Sequence, residues 1–335
     1  MRRILITGAA GFLGSHLVDV MLGRGYDVIG VDDLSHGNLR NLEQAGVSSR
    51  FTFYELDVCD IAALRRRVGA VDTIVHLAAY KIPRYSTATT TLMVNSQGTL
   101  NVLQFACEQS ARFVITSTSD VYGKNPVVPF SEDSDSVIGP STVARWAYAA
   151  SKLFDEHLVF AMAEDAGIYA TVLRIFGSYG PRQNLSWWGG PQSVFIDATL
   201  RGEAIPIHGD GLQTRSFTFV SDTVRGIAAA AEATTADREI VNIGSDEEIT
   251  ILELAHRIHR LCGRSGDPLI NRVPYNEIAR RKYEDVRRRI PDVRKAKELL
   301  GFSASVLLDD GLRETIAWQQ QAIKGSEQVR PAILV

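Results

Sequence analysis

Apolar positions in the first half of the chain follow two alternating rhythms. Short β-branched runs, "RILIT" and "YDVIGVD", flank a stretch where Phe12, Leu13, Leu17, Val20 and Met21 recur at helical spacing. The strand rhythm returns in "RFTFYEL", "VDTIVHLA", "RFVITST" and "IYATVLRIF". Helical stretches such as "TLNVLQFACEQ" and "AASKLFDEHLVFAMAED" separate these runs. Apolar strands alternating with helices predict an α/β fold, a parallel sheet covered on both faces with right-handed crossovers.

After Phe176 the rhythm breaks. "GSYGPRQNLSWWGGPQ" reads as a structured loop rich in Gly, Pro and aromatics. A helix ("SVFIDATLRG") and two strands ("AIPIHG", "SFTFV") follow, then a helix with Ser221 as its N-cap. "EIVNIG" returns to the strand pattern, and "TILELAHRIHRLCG" is a helix with a Thr cap and a terminal Gly. "PDVRKAKELLGF" and a last helix near "LRETIAWQQQ" complete a smaller lobe.

Composition narrows the function classes. The chain of 335 residues, 45% hydrophobic and 22% charged, suits a soluble globular protein. A net charge of −3 supplies no field for nucleic acid or an anionic membrane. Cys59, Cys107 and Cys262 are far apart, match no metal spacing and fit a reducing compartment. The apolar run after "MRR" is too short for a signal peptide, and no run has the length of a membrane span. These features predict a cytoplasmic enzyme without a bound metal. His256 and His259 lie three apart on a helix but have no third ligand in view.

"ITGAAGFLGSHL" places Gly8, Gly11 and Gly14 between a strand and a helix that opens with Phe12 and Leu13. Glycines let the backbone approach a pyrophosphate, and the helix N-terminus offers N–H groups and partial positive charge. Asp32 ends the next strand, where a carboxylate accepts both adenosine ribose hydroxyls and repels a 2′-phosphate. The cofactor expected is NAD. Asp57 and Val58, after the third strand, border the adenine in this reading.

The motifs "TGAAGFLGSHL", "HLAA", "STSDVYG", "YAASK", "LRIFGSYGPR", "GDGLQTRSFTFVSD" and "PDVRKAKELLGF" stand in one order along nearly the whole chain. In that combination the sequence resembles the extended short-chain dehydrogenases that modify sugar nucleotides. The resemblance implies a Rossmann-type doubly wound sheet with a smaller, mainly C-terminal substrate lobe. Residues 1–176, with 217–245 returning, would hold NAD; 177–216 and 246–335 would hold substrate. Leu77, Ala78 and Ala79 would flank the cofactor, and His76 would be structural.

Tyr148 and Lys152 lie four apart, on one face of a helix. An ammonium beside a phenol stabilises the phenolate, so Tyr148 would act as a general base near neutral pH. Thr118 takes the Ser/Thr position of the family's triad, and Ser119 the substrate-facing wall. The mechanism implied is transient oxidation of the sugar at C4, with the hydride later returned by the same cofactor. The ketosugar then epimerises, decarboxylates or is dehydrated. Asp120 stands where similar decarboxylases carry Glu, one methylene longer, and is either a catalytic acid or base or a loop cap.

The leading expectation is a 4-epimerase of a UDP-hexose or UDP-hexuronate. UDP-glucuronate decarboxylation is second and 4,6-dehydration third. A silent NAD-binding sensor module is opposed by the intact Thr118, Tyr148 and Lys152. Arg215 and Arg289 match family positions on the diphosphate, where a guanidinium fork suits the task. Lys81 and Arg84 would lie in a loop over the nicotinamide. Gly177 replaces an Asn or Thr of similar enzymes and would leave space beside the substrate. Trp187 and Trp188 would stack on a base or sugar, or pack internally. A homodimer formed through the YxxxK helix and the helix before it is also implied.

Overall fold

The computed structural model describes residues 2–81, 87–278 and 283–328. Its strands are β1 (Arg3–Thr7), β2 (Asp27–Asp32), β3 (Phe51–Glu55), β4 (Thr73–His76), β5 (Arg112–Thr118), β6 (Ala170–Ile175), β7 (Ser178–Tyr179), β8 (Ile205–His208), β9 (Thr214–Ser216), β10 (Thr218–Phe219), β11 (Glu239–Ile243), β12 (Glu248–Thr250), β13 (Ile270–Val273) and β14 (Arg288–Arg289). Its helices are α1 (Phe12–Gly23), α2 (Glu43–Gly46), α3 (Ile61–Arg67), α4 (Ala88–Gln109), α5 (Trp146–Ala166), α6 (Pro191–Arg201), α7 (Val220–Glu232), α8 (Ile251–Leu261), α9 (Tyr275–Ile278), α10 (Arg294–Leu300) and α11 (Leu308–Gln328).

Strands β1 to β6 and β11 form one parallel sheet in the order β11-β6-β5-β4-β1-β2-β3. The period-two alternation of a strand sorts its side chains between the two faces. Ile4 and Ile6 join one apolar cluster, with Leu17, Val18 and Met21 of α1 and Val224 and Ile227 of α7. Leu5 points to the other cluster, with Val102 and Phe105 of α4 and Val159 of α5. This is a doubly wound α/β sheet.

From β1 the chain runs outward to β3, then crosses back to place β4 on the other side of β1. Such a reversal opens a crevice at the carboxyl ends of the two strands, where ligands of α/β sheets bind. Gly8 follows β1 and Leu77 follows β4, so both border this crevice.

Smaller sheets build the rest. β8 pairs with β13, and β9 lies between β12 and β14. Thr250 caps α8 by accepting the Glu253 N–H at 3.0 Å. Ser221 is not the cap of α7. Pairing of β10 with β7 carries extended backbone through Phe219, so the helix starts at Val220 and takes Ser221 into its first turn.

A buried ion pair fixes α5 on the sheet. Arg174 of β6 grips Glu156 through Nε at 3.1 Å and a second nitrogen at 2.7 Å. The Ser117 hydroxyl of β5 donates to the same carboxylate. Removing one partner of such a pair strands a buried charge, which makes the docking angle of the YxxxK helix costly to change.

Candidate active site

The crevice opens into a cavity of about 960 Å³, lined at one end by the glycine turn and at the other by residues of the C-terminal lobe. The turn is shaped by contact. A Cβ on Gly14 would stand 2.0 Å from the Gly8 carbonyl oxygen, so only glycine lets α1 pack this closely. Gly8 itself has φ +69, a left-handed conformation that glycine adopts without strain. Gly11 caps α1 and brings no side-chain hydrogen bond, which leaves the first-turn N–H groups to the cleft. These features fit a pyrophosphate, and the residues present therefore suit NAD.

Backbone donors orient the Asp32 carboxylate at the end of β2. Its Oδ2 accepts from Ala10 N at 3.0 Å and its Oδ1 from Leu34 N at 2.9 Å. Gly8, Gly11, Phe12, Leu13, Gly14, Asp32, Asp57, Val58, Leu77, Ala78 and Ala79 all line the cavity. The Asp57 carboxylate meanwhile accepts the Cys59 N–H and closes the turn after β3.

Strand β5 delivers the opposite wall. Thr118 ends it, and its hydroxyl accepts from Asp120 N at 3.2 Å, so Thr118 rather than Asp120 caps the following turn. Thr118, Ser119, Asp120 and Tyr148 border the same cavity. Burial pushes the Tyr148 phenol above its ordinary value, and the Asp120 carboxylate pushes the same way. The Thr118 hydroxyl and Arg289 favour the phenolate.

Lys152 has a buried charged partner that the sequence did not announce. Its ammonium lies 3.0 Å from Asp155 Oδ2, with the two side chains 2% and 0% exposed. The ammonium thus has a carboxylate partner one turn on along its own helix.

Asp120 sits in a cluster that the sequence did not reveal. Its Oδ1 accepts from Arg145 at 3.0 Å and from Arg289 at 2.5 Å. Arg145 also reaches Asp285 at 2.9 Å, and Arg215 reaches the same Asp285 oxygen at 2.8 Å. In the β9–β14 pairing Arg289 lies directly beside Arg215, an arrangement of like charges that needs the intervening carboxylates. Burial lowers Arg215 to about 10, with Arg289 and Arg145 acting in the same sense. Burial alone would raise the Asp120 carboxyl, but Arg289, Arg145 and Arg215 hold it below its ordinary value. Asp120 is therefore ionised at neutral pH and has no proton to donate. Arg145 was within reach of sequence reasoning, since it precedes Tyr148 by three residues. Asp285 carried no such signal.

Gly177 lines the cavity but leaves no space there, contrary to expectation. It has φ +38, and a Cβ would meet the Ser216 carbonyl oxygen at 2.2 Å. Trp187 stacks on His208 at 4.0 Å and Trp188 on His36 at 4.1 Å, so both indoles pack against protein rings. The exposed Lys81 ammonium lies 3.4 Å from the Trp188 carbonyl oxygen. Arg84 lies outside the described residues. Burial and then Lys152 push His76 down to about 3, so its ring is neutral. His256 lies 3.8 Å from Asp267, and no group of metal ligands occurs among the described residues. No helix among them is long and apolar enough to cross a membrane.

The UDP-N-acetyl-alpha-D-glucosaminuronate decarboxylase of Bacillus cytotoxicus is 36% identical over 319 residues, 95% of this chain and 97% of that one. UDP-glucuronic acid decarboxylase 1 of Xenopus tropicalis is 36% identical over 325 residues, 96% of this chain and 73% of that one. The UDP-glucuronic acid 4-epimerase of Bacillus cereus, solved in complex with NAD, superposes with a TM-score of 0.82 at 30% identity, covering 96% of this chain and 99% of that one. NAD is the cofactor of the present chain, and its chemistry is that of the sugar-nucleotide epimerase, dehydratase and decarboxylase group. The family model described as GDP-mannose 4,6 dehydratase matches residues 5–315, and the chain belongs to that family, within the extended short-chain dehydrogenases.

Proposed function

We propose that the protein decarboxylates a UDP-hexuronate of the glucuronate type through a transient 4-keto sugar. The observation that carries this reading is the cluster beside Tyr148, where Arg145, Arg215 and Arg289 share Asp120 and Asp285. Three guanidiniums against two carboxylates leave positive charge facing the cleft. A hexuronate brings a carboxylate in addition to its diphosphate, and forked guanidiniums suit such oxygens.

Tyr148 takes the proton of the C4 hydroxyl, with Thr118 holding that hydroxyl in line. NAD, which the glycine turn at Gly8, Gly11 and Gly14 and the Asp32 carboxylate would hold, would supply the acceptor for the C4 hydride and the donor that returns it. With C4 oxidised, the C5 carboxylate is β to a ketone. The bond between C5 and the carboxyl carbon breaks, its electron pair passes to the C4 oxygen as an enolate, and carbon dioxide leaves. A water molecule protonates C5 and restores the ketone, and Tyr148 gives its proton back to the C4 oxygen as the hydride returns. Asp120, ionised, serves this scheme by fixing Arg145 and Arg289.

The two relatives at 36% identity carry decarboxylase names, which favours this reading over the epimerisation that the sequence put first. Epimerisation remains the second reading, supported by the likeness to the hexuronate 4-epimerase. Incubating the holoenzyme with UDP-glucuronate separates them. A product lighter by one carbon dioxide, with no net change in NADH, fits decarboxylation. A C4 isomer of unchanged mass overturns it in favour of the epimerase. We also infer a homodimer through α4 and α5, which expose Met93 and Phe154 at 62% and 52%. Light scattering on the native protein tests this, and a monomeric mass would refute it.

A further inference from the structure

Lys152 is the most deeply buried ammonium near the cleft, and a connected set of polar groups surrounds its partner. Lys152 Nζ donates to Asp155 Oδ2 at 3.0 Å. Burial raises the Asp155 carboxyl above its ordinary value, against which Lys152 and then the Thr99 hydroxyl of α4 favour its charged form, and Asp155 Oδ1 makes no well-formed hydrogen bond. Thr99 Oγ1 also lies 3.3 Å from His76 Nε2. His76 Nδ1 in turn lies 2.7 Å from Thr7 Oγ1.

The direction of these bonds follows from the backbone. Thr7 Oγ1 accepts the N–H groups of Leu77 and Ala78, each at 3.2 Å. Its own proton is then left for His76 Nδ1, so the neutral ring carries its proton on Nε2 and donates toward Thr99. The result is a buried path from the strand ends at the cofactor crevice to the carboxylate that holds Lys152.

We propose that Asp155 is a positioning residue for the Tyr148–Lys152 pair, holding the ammonium against the buried side of α5 and offsetting part of the positive charge that the phenol feels. This rests on Tyr148 being the base. The charged groups facing the phenol are Asp120 from the turn after β5, Arg289 from β14, and Asp155 on its own helix. His76 from β4 faces Lys152. Glu156, also beside Asp155, is neutralised by Arg174. Asp155 raises the Tyr148 phenol, so removing its charge lets the phenol ionise at lower pH.

The test uses the holoenzyme with UDP-glucuronate as probe. Two quantities are read in Asp155→Asn and Asp155→Glu: the acid limb of the kcat–pH profile, and tyrosinate absorbance as a difference from Tyr148→Phe. The absorbance needs no turnover. Asp155→Asn is expected to move both to lower pH by about one unit, the size of a nearby-charge effect, and Asp155→Glu to move them back. Both unmoved, or moved upward, overturns the proposal. Should the Asn variant fail to fold, Asp155→Ser is read in the same way. Full turnover in Tyr148→Phe would instead refute the base assignment, a separate failure.

Discussion

Replacing Asp120 with Asn removes the charge that Arg145 and Arg289 share. The carboxylate oxygen lies 3.0 and 2.5 Å from them, and the side chains of Asp120, Arg145 and Arg289 are 9%, 4% and 19% exposed. Water therefore screens these bonds little. Hydrogen bonds to charged groups contribute about 1.5–3 kcal/mol each, so the two together hold about 3–6 kcal/mol. The Asn carbonyl still accepts from both guanidiniums at roughly half the strength, which leaves a loss of about 1.5–3 kcal/mol. In a thermal melt of a chain of 335 residues that loss corresponds to a fall of about 2–4 °C. The pH dependence has a definite sign. The arginines hold the folded carboxyl below its ordinary value, so its contribution is complete above the ordinary carboxylate range and vanishes as pH falls through the folded value. The gap between wild type and Asp120→Asn should stay level from about pH 8 to pH 5 and close only below about pH 4. Equal melting temperatures at neutral pH, or a gap that widens in acid, would refute the reasoning.

Tyr148→Phe should lower kcat by about 10²–10⁴-fold, the usual contribution of a general base, while melting temperature and bound NAD stay unchanged. Gly177→Asn would drive a Cβ against the Ser216 carbonyl at φ +38, and urea titration should register a loss of about 1–3 kcal/mol. Arg174→Met strands the Glu156 carboxylate beneath α5, and the same titration should show about 3–5 kcal/mol lost. Asp32→Ser removes the carboxylate that Ala10 and Leu34 orient, and should narrow the preference for NAD over NADP in equilibrium binding.

Local patterns carried the fold because each is a property of neighbouring residues. The alternation of Ile4, Leu5 and Ile6 names two faces before any partner is known, and the structure gives each face its own cluster. The glycines at Gly8, Gly11 and Gly14 announce a close approach through their spacing alone. Gly177 shows the limit of such reading. The residue declares that no side chain fits, but only the approach of Ser216 says what occupies the space.

The chain's own order of residues determined the doubly wound sheet, the glycine turn, Asp32 at the second strand end, and a phenol and an ammonium one turn apart on a helix. Tertiary structure decided which charges meet. The Lys152 ammonium meets the Asp155 carboxylate, three residues on, in a pair buried from water. Arg145, Asp285 and Arg289 converge near Asp120 because α5 docks on the sheet and β14 pairs with β9. Coulomb energy depends on distance and local dielectric, and separation along a chain fixes neither.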